Sequence, residues 1–129
     1  IYGYDLNSNN IFMWIKNKLQ EHKTINLVSD QYRTPTYVLD LSHAIYEFIK
    51  LKKNGIFHVS SGQKLSIFEL GSIIVKHYSL NSKLITKIKS NNLKQVALRP
   101  KNSTLSIDRV KKDINFVPTS FKQSLNQLL

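Results

Sequence analysis

The fold is decided by the stretch Ile25-Asn26-Leu27-Val28-Ser29-Asp30-Gln31-Tyr32-Arg33-Thr34-Pro35-Thr36, where a short apolar segment runs into a polar loop. The apolar segment, residues 25–28, predicts a buried strand. Pro35 biases the residue before it toward extended geometry, so the loop from Asp30 to Thr36 is expected to be stiff. An apolar helix follows the loop, and alternating strands and helices favour an α/β or α+β domain.

The helix after the loop is predicted from about Leu39 to Leu51. Its apolar residues recur at helical spacing, and the predicted core stripe consists of Leu41, Ala44, Ile45, Phe48 and Ile49. Asn54-Gly55 is a turn signal that ends this helix. The apolar residues from Ile56 to Val59 then predict a second short strand.

Helix-capping patterns open the remaining predicted helices, because a polar side chain can satisfy the free amides of a first turn. These helices are Ile11 to about Glu21 (capped by Asn9 or Asn10), Ser66 to about Tyr78 (a capping box with Glu69), a short helix capped by Ser106, and Ser120 to Leu129 (a capping box with Gln123). A third strand is predicted from Leu84 to Ile88. The residues from Asn91 to Ser103 are polar and are expected to be irregular.

The length of 129 residues and the 41% hydrophobic content fit one globular domain. The sequence contains no cysteine, which excludes disulfides, thiolate zinc sites and thiol nucleophiles, and is consistent with a cytoplasmic location. No apolar run approaches the roughly 18 residues that cross a bilayer, so no membrane partner is expected. Because the chain begins with Ile1 and lacks a signal-peptide pattern, we expect it to be a piece of a longer polypeptide.

The formal net charge of +11 raises the question of a nucleic-acid partner. The lysines are spread along the whole chain, whereas nucleic-acid sites are usually marked by clustered basic residues. We therefore expect no nucleic-acid partner. A more acidic second portion of the polypeptide would also balance this charge.

Tyr46 and Lys50 have the Tyr-x-x-x-Lys spacing of short-chain dehydrogenases, in which a lysine lowers the pKa of a proton-donating tyrosine. The pair lies beside the apolar stripe of its predicted helix, so it is interpreted as an exposed flank. A dinucleotide site needs closely spaced glycines after a strand, but the glycines here are widely separated: Gly3, Gly55, Gly62 and Gly71. The chain is therefore not expected to bind a dinucleotide by itself.

Histidines and carboxylates give no metal or catalytic pattern. The four histidines do not have helical metal-ligand spacing with a nearby acid, so no metal site is predicted. His58 falls in an apolar stretch and is interpreted as a core histidine. Asp30 and Asp40 flank the loop, and Asp30 is expected to cap its turn.

The loop residues Gln31 to Thr36 offer an amide, a phenol, a guanidinium and hydroxyls, which are groups that can bind sugar hydroxyls. Arg99, followed by Pro100, can meet a phosphate in bidentate fashion. A plain loop and a surface arginine would explain the same residues. The chemistry of the residues leaves these two interpretations open.

The order and spacing of several motifs resemble the C-terminal part of the dTDP-4-dehydrorhamnose reductase family, within the extended short-chain dehydrogenase/reductase superfamily. The motifs are Ile1-Tyr2-Gly3, Asn10, Asp30-Gln31-x-x-x-Pro35-Thr36, Asp40-Leu41, Ala44, Gly55-Ile56-Phe57-His58-Val59, Ser66 to Leu70, and Ala97-x-Arg99-Pro100-x-Asn102-Ser103-x-Leu105. They cover nearly the whole chain.

The resemblance implies an α/β fold. The chain would be the small mixed α/β substrate domain at the C-terminal end of a Rossmann-type enzyme, and the N-terminal dinucleotide-binding part of that enzyme would be missing. Residues 1–129 would form the substrate-binding portion of a reductase of dTDP-4-keto-6-deoxy sugars in dTDP-L-rhamnose synthesis. The missing part would bind NADPH or NADH, and no catalytic residue would lie in this chain. The resemblance also leaves open whether the protein forms a homodimer. The substrate-binding candidates are Gln31, Thr34, Pro35 and Thr36 near the sugar, and Arg99 and Asn102 on the nucleotide side.

Two positions depart from the family pattern. Arg33 stands where the family usually has glycine, and Ser106 stands where it usually has an acidic residue. Arginine tolerates a positive φ poorly, so the loop backbone is expected to differ from that of the family. The alternatives are a reductase or epimerase of another nucleotide sugar, and a non-catalytic module related to the regulatory subunit of methionine adenosyltransferase.

Overall fold

The computed structural model describes residues 1–4, 10–93 and 97–128 of the chain. Within these ranges the chain forms a small mixed α/β unit. The helices are α1 (Ile11–Gln20), α2 (Val38–Lys50), α3 (Ile67–His77), α4 (Asp108–Ile114) and α5 (Phe121–Leu125). The strands are β1 (Ile25–Val28), β2 (Tyr32–Arg33), β3 (Leu65–Ser66), β4 (Ile85–Ile88) and β5 (Asn102–Ser103). No described helix is long and apolar enough to span a bilayer.

The strands form two short sheets on either side of one loop. β1 pairs in parallel with β4, with Ile25 opposite Ile85. β2 is the middle strand of the second sheet, antiparallel to β3 and parallel to β5. Only residues 29–31 separate β1 from β2, so the first half of the polar loop is held between two hydrogen-bonded ladders and its Tyr32–Arg33 part belongs to the second one.

The predicted caps of α1, α3 and α5 are confirmed where the structure describes them. Asn10 accepts the Met13 amide and caps α1, whereas Asn9 lies outside the described residues. Both capping boxes are present, at the start of α3 and of α5. The predicted cap of α4 is one residue off: Ile107 occupies the N-cap position, although the Ser106 hydroxyl does accept the Asp108 amide at 3.3 Å. The last helix is shorter than predicted: it ends at Leu125, and the predicted end at Leu129 lies outside the described residues.

The main core joins α1, α3 and α5 to β1. Its largest fully buried side chains include Phe12, Ile15, Leu27, Ile74 and Phe121. A Cβ at Gly71 would collide with the side chain of Leu27, so glycine allows α3 to approach β1 closely. A smaller cluster around Ala44 packs α2 against α4.

The predicted strand over Ile56 to Val59 is wrong: the structure has no strand there. Side chains take up carbonyls of this segment that a neighbouring strand would otherwise bind. Arg109 Nη1 donates to the Ile56 carbonyl at 2.8 Å, and the Thr36 hydroxyl donates to the Val59 carbonyl at 3.2 Å. His58 is exposed, so its interpretation as a core histidine is also wrong.

The predicted core stripe of α2 is only partly buried. Ala44 is buried and Leu41 and Phe48 are half-buried, but Ile45 is 50% exposed and Ile49 is 73% exposed. The helix packs on α4 through one narrow face, so the rest of its apolar stripe has no cover among the described residues. Tyr46 and Lys50 are both exposed, as expected.

Tyr2 connects the beginning of the chain to the loop and to the last helix. Its amide donates to the Thr36 carbonyl, and its carbonyl accepts the Val38 amide, both at 2.9 Å. Its hydroxyl lies 2.6 Å from the Ser124 hydroxyl in the core. Because Ser124 donates its own proton to the Phe121 carbonyl, Tyr2 is the donor in this pair.

Burial of the Tyr2 side chain raises the pKa of its hydroxyl to about 12. The unfolded chain releases this proton near pH 10, so the folded state loses stability as the pH rises from about 10 to about 12. We expect Tyr2→Phe to lower the free energy of unfolding by about 1–2 kcal/mol at pH 7. We expect the variant to lose less stability than the wild type above pH 10, by ~2 kcal/mol. Urea unfolding at several pH values measures both effects.

Tyr4→Phe is the matched control, because Tyr4 is 49% exposed. It should leave the free energy of unfolding and its pH dependence unchanged. Equal pH dependence in Tyr2→Phe and the wild type would show that the buried hydroxyl is not responsible.

Candidate functional site

A cavity of about 850 Å³ lies beside β1. Its walls come from α1, β1, the loop after β1, the first turn of α3, and the segment that contains Arg99. Apolar side chains such as Ile11, Trp14 and Leu70 form much of the lining, together with a few polar groups. A cavity of this size and composition is typical of a small-molecule site.

The cavity brings together four of the six residues predicted as substrate-binding. Gln31, Thr34, Pro35 and Arg99 all line it, although Arg99 is far from the loop in sequence. Gln31 is only 2% exposed, so its amide is held inside the wall, whereas Arg99 is exposed at the rim. Their contact with a ligand remains a prediction.

The other two predicted residues do not line the cavity. Thr36 is buried and donates its hydroxyl to the Val59 carbonyl, so it ties the end of the loop to residues 56–59. Asn102 lies in β5, where its side-chain carbonyl accepts the Thr104 amide at 3.2 Å. Both side chains have main-chain partners nearby, and their contact with a ligand also remains a prediction.

Arg33 is a charged lining residue of the loop that was not among the six predicted substrate-binding residues. It lies in β2, directly opposite Ser103 of β5. Its Nη1 atom donates to the Ser103 hydroxyl at 2.7 Å. The signal in the sequence was its position inside the polar loop, where the resemblance had suggested glycine.

The segment before and after β5 is fastened to the loop by three further contacts. The Tyr32 amide donates to the Lys101 carbonyl at 2.7 Å, and the Leu105 amide donates to the Thr34 hydroxyl at 3.1 Å. Arg33 Nη1 also lies 3.4 Å from the Pro100 carbonyl. These contacts keep the segment that carries Arg99 at the edge of the cavity.

Positive charge dominates the cavity. Lys18, Lys23, Arg33 and Arg99 line it, and none of its described lining residues is an aspartate or glutamate. Lys23 forms an ion pair with Glu21 at 2.7 Å, but neither arginine belongs to an ion pair in the described part of the chain. Such unneutralised guanidinium groups favour an anionic ligand.

Asp30 anchors the start of the loop rather than capping its turn. Its carboxylate accepts the amide and the hydroxyl of Ser90, each at 2.9 Å. Partial burial opposes ionisation, but the hydrogen bonds from Ser90 prevail and hold the pKa of Asp30 below its ordinary value. Asp30 was expected to cap its turn, but its carboxylate instead accepts from Ser90, which follows the strand that pairs with β1.

Asp40 has a similar structural role. Its carboxylate accepts the amide and the hydroxyl of Thr119, both at 2.7 Å, and so holds α2 to the residues before α5. In the described residues no group of three histidine, aspartate or glutamate side chains is close enough to hold a metal ion.

The family model of the RmlD substrate binding domain matches residues 1–129. The chain belongs to this family. A dTDP-4-keto-6-deoxy-D-glucose reductase from Streptomyces niveus is 24% identical to it, over 69% of this chain and 31% of the relative. The spore coat polysaccharide biosynthesis protein SpsK from Bacillus subtilis is 30% identical, over 87% of this chain and 39% of the relative. The chain therefore spans well under half the length of these curated relatives.

Solved structures agree with the family. A dTDP-4-dehydrorhamnose reductase from Bacillus anthracis, in complex with NADP, superimposes with a TM-score of 0.87 and 26% identity, over 98% of this chain and 44% of the reductase. A dTDP-glucose 4,6-dehydratase from the same organism has a TM-score of 0.80 at 15% identity, over 98% of this chain and 40% of the dehydratase, which shows the fold alone. The predicted fold is confirmed: a small mixed α/β unit that matches the C-terminal portion of extended short-chain dehydrogenases.

The bond between Leu105 and Thr34 gives a test of how the Arg99 segment is held. We expect Thr34→Val, which removes the accepting hydroxyl at nearly constant shape, to raise the hydrogen-exchange rate of the Leu105 amide about tenfold. Amide exchange measured by NMR reports this change. The Lys111 amide, which donates in the first turn of α4 to the carbonyl of the capping residue Ile107, is the internal control. An unchanged rate at Leu105 would mean that the hydroxyl does not hold this segment.

Proposed function

We propose that this chain is the substrate-binding portion of an NAD(P)H-dependent reductase that acts on dTDP-4-keto-6-deoxy sugars. The reaction would be that of dTDP-4-dehydrorhamnose reductases, which forms dTDP-L-rhamnose. The observation that carries this proposal is the shared cavity of Gln31, Thr34, Pro35 and Arg99 in a chain of the RmlD substrate-binding domain family. Relatives whose names specify dTDP sugars support the choice of nucleotide.

The two sides of the cavity suit the two ends of a nucleotide sugar. The amide of Gln31 and the hydroxyl of Thr34 can exchange hydrogen bonds with sugar hydroxyls, and Pro35 keeps their loop rigid. The guanidinium of Arg99 can donate to a diphosphate in bidentate fashion. In this proposal the chain binds and orients the sugar and excludes water from one side of it. Thr36 supports the loop from behind, and Asn102 stays a candidate on the nucleotide side.

The cofactor does not fit this chain. A dinucleotide needs a glycine-rich turn between a strand and a helix, and the glycines of these 129 residues are too far apart to form one. Hydride transfer and protonation of the keto oxygen are therefore not assigned to any residue here. We propose that a separate dinucleotide-binding portion supplies them. The uncovered apolar stripe of α2 supports the need for a further partner surface.

We expect Arg99→Ala to weaken the binding of dTDP by ~1–3 kcal/mol, because a hydrogen bond to a charged group is lost. Isothermal titration of the protein with dTDP measures the change in Kd. Lys122→Ala is the control, since Lys122 is exposed on α5 and does not line the cavity. Equal weakening in both variants, or none in Arg99→Ala, would make Arg99 an ordinary surface cation.

We also expect the 129-residue chain to show no reduction of a dTDP-4-keto-6-deoxy sugar with NADPH. The physical reason is the missing glycine-rich turn, without which the nicotinamide is not held against the sugar. Loss of NADPH absorbance measures turnover, with the Bacillus anthracis reductase as the positive control. Turnover above the buffer rate would contradict the proposal that a separate portion binds the cofactor and supplies the hydride.

A further inference from the structure

The cavity contains a second arginine, Arg33, to which the proposed function gives no role. We propose that Arg33 binds one phosphate of the ligand while Arg99 binds the other, so that the cavity selects a nucleoside diphosphate over a monophosphate. This inference rests on the proposed function and concerns the same cavity. It makes Arg33, at a position where the resemblance had suggested glycine, a determinant of ligand specificity.

The electrostatic argument starts from the absence of a carboxylate partner. Neither Arg33 nor Arg99 forms an ion pair within the described residues, and none of the described lining residues is acidic. Two cations in one cavity repel each other, and this repulsion is relieved when an anion lies between them. A diphosphate carries negative charge on both of its phosphates, so it can neutralise both groups at once.

The hydrogen bonds of Arg33 leave part of its guanidinium available. In the described residues its bonds all use Nη1, which donates to the Ser103 hydroxyl at 2.7 Å, to the Tyr32 carbonyl at 3.2 Å and to the Pro100 carbonyl at 3.4 Å. The N–H groups on Nε and Nη2 can therefore donate to a ligand. Because arginine is planar, fixing one nitrogen also restricts the direction of the others.

The same contacts set the two arginines relative to each other. Arg33 is opposite Ser103 in the parallel pairing of β2 with β5, and it also contacts the carbonyl of Pro100, the residue after Arg99. The loop therefore carries one arginine and holds the segment that carries the other. A site assembled before the ligand arrives loses less conformational entropy on binding, which favours affinity.

Arg33 could instead serve only as a brace that holds β5 to β2. The two roles differ in what the Ser103 hydroxyl contributes. If Arg33 is a brace, then removing its partner Ser103 should have the same consequence as removing the guanidinium. If Arg33 binds phosphate, then the charge matters more than the bond to Ser103, and it matters only for a ligand with a second phosphate.

The test compares dTDP with dTMP on the 129-residue chain by isothermal titration. Arg33→Gln keeps an amide donor for Ser103 but removes the charge, and Ser103→Ala removes the brace but keeps the charge. We expect Arg33→Gln to weaken dTDP binding about tenfold and to leave dTMP nearly unchanged. We expect Ser103→Ala to affect both nucleotides slightly and equally, and Lys122→Ala to affect neither. Far-UV circular dichroism checks that each variant is folded.

Arg33→Lys is the second variant, which keeps the charge in case Arg33→Gln does not fold. Lysine cannot make two parallel bonds, so dTDP binding should fall between that of the wild type and Arg33→Gln. Wild-type affinity for dTDP in Arg33→Gln or in Arg33→Lys would overturn the inference. So would a loss in Ser103→Ala as large as that in Arg33→Gln. If the wild type binds dTMP but gains nothing from the second phosphate, the inference fails and the proposed function stands. If the wild type binds neither nucleotide, the proposed function fails and this inference fails with it.

Discussion

The pairing of β2 with β3 and β5 is the constraint on which the cavity depends. β2 contains only Tyr32 and Arg33, yet it is bonded on one side to the residues before α3 and on the other to the segment that follows Arg99. Without β5 beside it, Arg99 would have no fixed relation to Gln31 or Thr34. Two residues of strand thus convert a surface loop into one wall of a site.

This short strand is stable because both ends of the loop are fixed by other means. Asp30 holds the beginning of the loop to Ser90, and Tyr2 holds its end through main-chain bonds to Thr36 and Val38. Hydrogen bonds of this kind contribute about 1 kcal/mol each, so they act together rather than singly. A rigid loop between two anchors is a common arrangement for binding residues, since rigidity limits the entropy lost on binding.

The positive charge of the chain includes a local excess at the cavity. Most of the 19 basic residues are spread over the chain, which gives no reason to expect a polynucleotide site. Four of them line one cavity without a described acidic neighbour in its wall, and two are arginines. This local excess of positive charge is the electrostatic feature that a small anionic ligand would use.

The sequence alone determined the features that depend on neighbours along the chain. The capping residues Ser66 and Ser120, the strand at Ile25–Val28 and the break after α2 were predicted because caps, turns and periodicity act within a few residues. The predicted strand at residues 56–59 and the burial of Ile49 were wrong, because both depend on which distant segment packs alongside. The same distinction holds for the candidate site. Gln31 and Arg99 were predicted as candidates from their side-chain chemistry and their motifs. Only the tertiary structure decided that they share a cavity with Arg33, since strand pairing between residues about 70 positions apart has no local signal.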